Sequence, residues 1–535
     1  MPKIELNKIQ LVDSESENKI KHRFMKNLEI KYIRNMLNGK TSSIKNYFHL
    51  PVNSTQKNKT KTGGGMKKFL IIILTVYFYN ISSFAQYGST GVTDARSLGL
   101  GKTHTATSEG IFSIGINPAN LIFSDEASFD FSTALPFPSA GLRSGTDFLS
   151  YDDFEYYFGG IGGSEKILTE EDRTRINRLF ENGGLFYTHA GISLLSFHYK
   201  PSDDIGSFAF SVGDYGGGRF NFPQAIKDLS YTEGKIYDFS DASIEAWWVR
   251  SFSLSYARQL EFLSDGFFEK FGFGFSLKYY QGFGYIATKD ISTYLTTNAN
   301  GTISGEANLL AYSALSDDFG VVYDFENVER NSNLSLFPTP VGKGFGFDLG
   351  FSGQLNDSWK FAIAITDIGQ ITWNKNAARF VSEGDIIVTD ISNKSQRDSV
   401  FDKIFGSGEA IDLFVTKLAT AFRFGTAWLV SKDHEDGFPG KFMVAFDYNQ
   451  GFNNMPGNST NPRVSFGFEW QPWAAFPYIR SGFEFGGSES TNWASGIGYD
   501  FGFLEIHLAT NAMQNMLFPN SSDFLSAAFS SRWKI

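Results

Sequence analysis

The sequence predicts an all-β protein, a transmembrane antiparallel β-barrel, and three observations point there. Bulky and small side chains alternate with a period of two over long stretches. A secretory leader is followed by no apolar segment long enough to cross a membrane as a helix. The composition is 16% aromatic, with 56 Phe, 54 Gly and no Cys.

The alternation is plainest from Gly342 to Asn374. Phe345, Phe347, Leu349, Phe351 and Leu355 fall on one side of an extended chain, and Gly344, Gly346, Asp348, Gly350, Ser352 and Gln354 on the other. After a turn at Asn356 and Asp357, Trp359, Phe361, Ile363 and Ile365 repeat the pattern, which makes an antiparallel hairpin. A soluble sandwich would place Lys, Glu and Thr on its outer face. Here the second face is Gly, Ser and Asp. Lipid against the Phe side and a crowded lumen against the small side explain both.

Residues 1–65 are rich in Lys and Asn, read as disordered, and look like an over-extended gene start. Met66 opens M-K-K-F-L-I-I-I-L-T-V-Y-F-Y-N-I-S-S-F-A-Q, a signal peptide over 66–85 with cleavage near Ala85. Its apolar run is shorter than the roughly 20 residues a spanning helix needs. Strands therefore remain as the way to span, and the expected location is the outer membrane of a Gram-negative cell. Beyond Ala85 the chain holds 32 basic and 52 acidic residues, so nucleic-acid binding is not expected. Without cysteine there is no disulfide and no thiolate metal site.

The segment 86–126 does not alternate. It is rich in small residues, with Ile111 and Ile114 at helical spacing, and Asn117 before Pro118 suits an N-cap and first helical position. A small, partly helical N-terminal hatch is the simplest reading. This stretch resembles the hatch of the FadL-type outer-membrane family, in which an Ala-Arg-x-Leu-Gly-x-Gly run leads to Asn-Pro-Ala. The matching residues are Ala95, Arg96, Leu98, Gly99 and Gly101, then Asn117, Pro118 and Ala119. The G-x-G-F-x-x-D-L-G pattern from Gly342 is similar to Bacteroidota members of that family, including PorV-like secretion shuttles. The resemblance implies about 14 strands plugged from the periplasmic side, with Arg96, Gly99, Gly101, Asn117, Pro118 and Ala119 as hatch or gating residues.

With that family in view, strands are expected at 127–135, 190–200, 205–214, 243–259, 271–285, 343–355, 359–374, 415–430, 441–451, 463–471, 476–486, 492–501, 503–510 and 525–534, within a barrel domain of 127–535. Every long connection (136–189, 215–242, 286–342, 375–414, 452–462) follows an odd-numbered strand. With a periplasmic N-terminus those loops all face outward, as outer-membrane barrels require. Thr169-Glu170-Glu171-Asp172 opens a helix with Ile176, Leu179 and Phe180 on one face and Gly183 and Gly184 at its end. A second short helix is expected over 394–405. Alternation from Phe442 to Trp470 and onward points Glu469 and Glu484, like Asp348, into the lumen. The chain ends on Ile535 rather than the aromatic residue common in such barrels, and Trp533 is the candidate substitute.

Chemistry is hard to find. Leu98-Gly99-Leu100-Gly101-Lys102-Thr103 lacks the first glycine of a phosphate loop and no strand precedes it. Tyr215-Gly216-Gly217-Gly218 reads as a loop start. His189 and His198, nine positions apart on one strand, are expected on opposite faces. No H-E-x-x-H, EF-hand loop or G-x-S-x-G occurs. The expectation is a barrel that is not an enzyme, has no cofactor or metal, sits in a lipid bilayer and passes a hydrophobic ligand. The alternative is a scaffold holding a secreted protein partner, or a surface structural protein. The glycine pairs Gly272 with Gly274 and Gly282 with Gly284 are candidate weak points for a lateral exit, with a crowded lumen as the blander explanation.

Overall fold

The computed structural model describes residues 93–535, apart from 126–127, 151, 154–155, 157–168, 229–233, 262–266, 299–300, 324–334, 391–394, 397–406, 432–438, 456, 488–490 and 519–523. The segments expected as disordered (1–65) and as a signal peptide (66–85), and the first residues of the hatch, lie outside the described residues. So does nearly all of the helix expected over 394–405.

Fourteen staves close into one antiparallel barrel. In chain order, β1 runs in two parts, Ser128–Thr133 and Ser139–Thr146; β2 is Gly184–Ser202, β3 Gly206–Phe222, β4 Ser243–Gln259 and β5 Lys270–Ile291. β6 is Gly342–Asn356, β7 Trp359–Trp373, β8 the pair Phe414–Lys417 and Ala421–Ser431, and β9 Lys441–Gly451. β10 is Arg463–Gln471, β11 Tyr478–Gly486, β12 Thr491–Asp500, β13 Leu504–Thr510 and β14 Phe524–Lys534. Each pairs with the next, and closure comes where β14 returns to β1, with Asp130 opposite Lys534 and Ala140 opposite Phe529. A closed ring leaves no edge unpaired, which is what hydrocarbon demands.

The two faces follow side-chain size. Along β6 every residue from Lys343 to Phe351 at odd positions is exposed, Phe345 at 73%, while Gly344, Gly346, Asp348 and Gly350 are buried. Outward rings meet across strands, as in Phe446 with Phe466 at 5.4 Å and Trp359 with Trp428 at 5.4 Å. Trp533 joins this outer face, stacked on Phe131 at 6.2 Å. One charge pair interrupts it: Arg250 makes a bidentate contact with Asp214 at 2.5 and 2.7 Å on directly paired positions of β4 and β3.

Staves β2 to β5 hold 17 to 22 residues, about twice what a tilted spanning strand needs. Their excess lies at the end where the long connections sit. There β5 leaves β6 at Gly282 and pairs instead with a loop strand, Ile303–Leu315, which pairs in turn with Ala377–Val388. Three expectations are corrected here. The stretch 136–189 is not all loop, because β1 resumes at Ser139 and β2 already begins at Gly184. Tyr215 to Gly218 belongs to β3, with glycine admitting Trp247: a Cβ on Gly217 would lie 2.9 Å from that indole. And His189 and His198 face the same side, since a β-bulge between Ser193 and Leu195 adds a residue and reverses the alternation.

In the loop after β1, helix α2, Glu170–Leu179, carries the capping box at Thr169 and Asp172, and Gly183 turns the chain at φ 76°. Phe180 packs on Phe148 at 4.7 Å. A 3-10 turn at Asp317–Phe319 is capped by Ser316, whose side chain accepts from the Asp318 amide.

Candidate functional site

Residues 93–124 fill the lumen. Helix α1, Ala95–Gly99, is only five residues long and is capped by Asp94, whose carboxylate accepts from the Arg96 amide. Such a short helix is marginal alone, so the wall must hold it. Arg96 reaches Glu469 on β10 through Nε at 3.2 Å and Nη2 at 3.3 Å. Lys102 pairs with Glu484 on β11 at 3.1 Å. Asp447 on β9 accepts from the amides of His104 and Thr105 at 3.0 Å each and from the Thr105 hydroxyl at 2.7 Å. His104 stands between Ser97 at Nδ1 and Arg423 Nη1, 2.9 Å from Nε2. Since Arg423 can only donate, Nε2 accepts and Nδ1 carries the proton. Burial first, and then Arg423, holds the His104 imidazole well below its ordinary pKa, so it stays neutral.

The Asn-Pro-Ala run anchors the other side. Asn117 caps a 3-10 turn, Pro118–Phe123, by accepting from the Ala119 amide at 3.1 Å, and its Nδ2 donates to Ser352 on β6 at 2.9 Å. Pro118 and Ala119 are buried. They press on β5 so closely that a Cβ at Gly274 would lie 2.4 Å from the Ala119 nitrogen. Gly99 packs against Gly496 of β12, and Gly101 turns the hatch at φ 64° where it meets Gly482 of β11. The wall at Gly272 and Gly274 is fully paired on both sides. Those glycines seat the hatch and do not weaken the wall there.

Around Glu469 the ion pair extends into a chain along the lumen. Arg480 reaches Glu469 at 2.5 Å and His507 at 3.1 Å; Arg532 grips Glu505 at 2.8 and 2.7 Å; and Asp130 accepts from the Ile111 amide at 3.1 Å and meets His198 at 2.7 Å. Asp348 stands in a separate buried group. Lys278 lies 2.8 Å from Asp348 and 2.6 Å from Asp367, and Tyr280 donates to Asp367 at 2.7 Å. Asp367 has φ 57° at a β-bulge of β7 opposite Phe347 and Leu349, which turns its carboxylate to the same side as Asp348.

Of the residues singled out in sequence, Arg96 and Glu469 touch, Gly101 and Glu484 are joined through Lys102, and Asn117 and Ala119 form one cap. Asp348 does not bond the hatch. Sequence reasoning missed Lys102, His104, Asp447, Lys278 and Asp367. Asp447 shares the inward parity of Glu469 and was visible on that ground. Asp367 was not, because a bulge has no signature in the two-residue repeat.

Two cavities flank the hatch. One, about 100 Å³, opens at the long-loop end between Leu98 and Lys102 of the hatch and Asn454, Met455 and Asn458 of the loop after β9. The other, about 220 Å³, opens at the short-turn end beside Asp357 and Ser358 and reaches Arg96, Thr107 and Glu109. Arg96 and Leu98 belong to the same short helix and line different cavities. Helix α1 is thus the partition.

A closed antiparallel ring with an aromatic outer face, small residues inside and a plugged lumen defines a transmembrane β-barrel of the outer-membrane type. Residues 125–510 match the model of the family of unknown function DUF5723, and the chain belongs to that family. No curated protein sequence matches it. Among solved structures, the Ralstonia pickettii toluene transporter TbuX is 12% identical, with 85% of this chain and 98% of that one covered at a TM-score of 0.39. The Pseudomonas putida toluene transporter TodX is 11% identical over 84% and 98%, also at 0.39. A Pseudomonas aeruginosa FadL homologue is 9% identical over 84% and 98%, at 0.38.

Proposed function

We propose that the protein is an outer-membrane conduit for hydrophobic small molecules, gated by the hatch. The observation that carries this is the partition: one turn of α1 separates a cavity open at each end of the barrel. The resemblance of the Ala95 to Gly101 and Asn117 to Ala119 runs to FadL-type hatches supports it, and a place in the Bacteroidota branch of that family is part of the same reading. A solute enters at the long-loop end, and Arg96, Asn117 and the residues between them shift to let it reach the short-turn end. The seat suits such motion. It is held by hydrogen bonds and ion pairs to Glu469, Glu484 and Asp447, groups that water can satisfy in turn.

The chain has no cysteine, so a single engineered pair tests the gate. Ala95 and Ala528 share one small buried cluster. Ala95→Cys with Ala528→Cys, oxidised, ties hatch to wall. Uptake of radiolabelled naphthalene by intact cells should fall on oxidation and recover with reductant. Uptake indifferent to the oxidation state means that the hatch is not the gate. Stoichiometric co-purification of a secreted protein, with no uptake, replaces the conduit by a scaffold.

A further inference from the structure

The cavity at the long-loop end has a chemical character at odds with the rest of the chain. The protein carries a formal net charge of −10, yet this cavity is lined by Lys102, Arg143, Arg219 and Arg463 against one carboxylate, Glu245. Counting Glu484, which pairs with Lys102, the local balance is still cationic. Arg143 is 5% exposed, so its guanidinium sits inside the wall rather than in solvent.

Two donors give the charge a direction. Nε of Arg463 and Nδ2 of Asn449 are buried at this cavity without a hydrogen-bond partner, and their residues are directly paired across β10 and β9. A buried donor without an acceptor costs about 1–3 kcal/mol, more when charged. Two side by side, facing one cavity, match the paired oxygens of a carboxylate or sulfonate. The other side of the cavity is aromatic. Tyr187, His189 and Trp247 follow one another with ring centroids 5.8 Å apart at each step. The Arg143 guanidinium lies 5.5 Å from the Tyr187 ring centroid, joining the two regions.

We propose that this cavity is a binding site for small aromatic acids. The ring lies along Tyr187, His189 and Trp247, and the acid group faces Arg463 and Asn449, with Arg143 between. The proposal deepens the conduit reading and rests on it for its biological meaning: it names which hydrophobic solutes the hatch meets first. A cavity of this size takes one ring and not a long chain.

The test is isothermal titration of the full-length protein in neutral detergent with 4-ethylbenzoate and with 4-ethylbenzyl alcohol, which differ in charge but hardly in shape. The acid should bind more tightly, and more weakly as salt rises. Arg463→Gln should cost the acid at least about tenfold in affinity, the equivalent of 1.4 kcal/mol, and leave the alcohol unchanged. Arg463→Lys should restore part of the loss. Heat-modifiable migration on a gel establishes that each variant is a closed barrel. Equal affinity for acid and alcohol, or acid affinity untouched by Arg463→Gln in a closed barrel, overturns the proposal. The two readings separate cleanly. Acid binding as described, with uptake insensitive to the hatch lock, sinks the conduit and keeps the site; lock-sensitive uptake without acid preference does the reverse.

Discussion

Gly482→Ala is a one-methyl test of how the hatch is held. A Cβ at Gly482 would lie 2.3 Å from the Leu100 carbonyl carbon, 2.4 Å from the Gly101 nitrogen and 2.5 Å from the Leu100 oxygen. All three are backbone atoms, so no side chain can rotate away. The wall cannot retreat either, because Gly482 is held in register between Gly467 and Ala494. Ordinary contact needs about 3.4 Å, so the hatch backbone must withdraw by about 1 Å. Just beyond lie the Lys102 to Glu484 pair at 3.1 Å and the three bonds to Asp447 at 2.7 to 3.0 Å. Stretching these by that distance takes them out of hydrogen-bond range. Losing two or three buried bonds at about 1–3 kcal/mol each raises the seated state by roughly 3–6 kcal/mol. The barrel's own strand pairing is untouched. Ala106→Cys, which follows the anchored Thr105 and is 3% exposed, reports the outcome by maleimide labelling. In the Gly482→Ala background labelling should speed up by about 100-fold or more, since each 1.4 kcal/mol is a factor of ten, with heat-modifiable migration retained. Labelling within twofold of the parent would refute the claim that the hatch rests on the glycine.

Three further outcomes follow from the same geometry. Phe347, 41% exposed on the outer face, and Asp348, fully buried beside it, are opposite cases: Phe347→Arg places a charge toward lipid at about 2–4 kcal/mol and should cut the yield of assembled barrel well below that of Asp348→Asn. Equal yields of the two would mean that the facing is wrong. Lys278→Met leaves Asp348 and Asp367 facing each other without their cation, a loss of roughly 3–5 kcal/mol for a broken buried pair, so its unfolding midpoint in urea should drop sharply while Lys278→Met with Asp348→Asn recovers part of it. Thr169→Ala removes half of a capping box and about 1 kcal/mol from α2; hydrogen exchange over Glu170–Leu179 should quicken with the barrel amides unchanged.

The strands were legible because lipid and lumen impose opposite demands on adjacent residues. β4, β9 and β10 begin and end where the alternation does, at Ser243 and Gln259, Lys441 and Gly451, and Arg463 and Gln471. The errors have two causes. Beyond the membrane the outer face no longer meets lipid, so Tyr215 to Phe222 and the strands Ile303–Leu315 and Ala377–Val388 lose the contrast that marks a stave. Bulges are the second blind spot: the one in β2 brings His198 inward to Asp130, and the one in β7 brings Asp367 beside Asp348, each by a single extra residue.

The hatch was legible only as a segment. Nothing in Ala95 to Ala119 states that Arg96 meets Glu469, 373 residues away, or that Asp447 holds the amides of His104 and Thr105. Yet half of each contact was present as parity, since Glu469, Glu484 and Asp447 all occupy inward positions where an unpaired carboxylate would be costly. An inward acid in a narrow barrel therefore implies a basic or amide partner, either from the wall, as Lys278 serves Asp348, or from whatever fills the lumen, and the segment without a two-residue repeat is what supplies the second kind. The same reasoning runs in reverse at the long-loop cavity. There the wall presents Arg463 and Asn449 inward and the hatch bonds neither buried donor, which leaves the place that the proposed acid group fills.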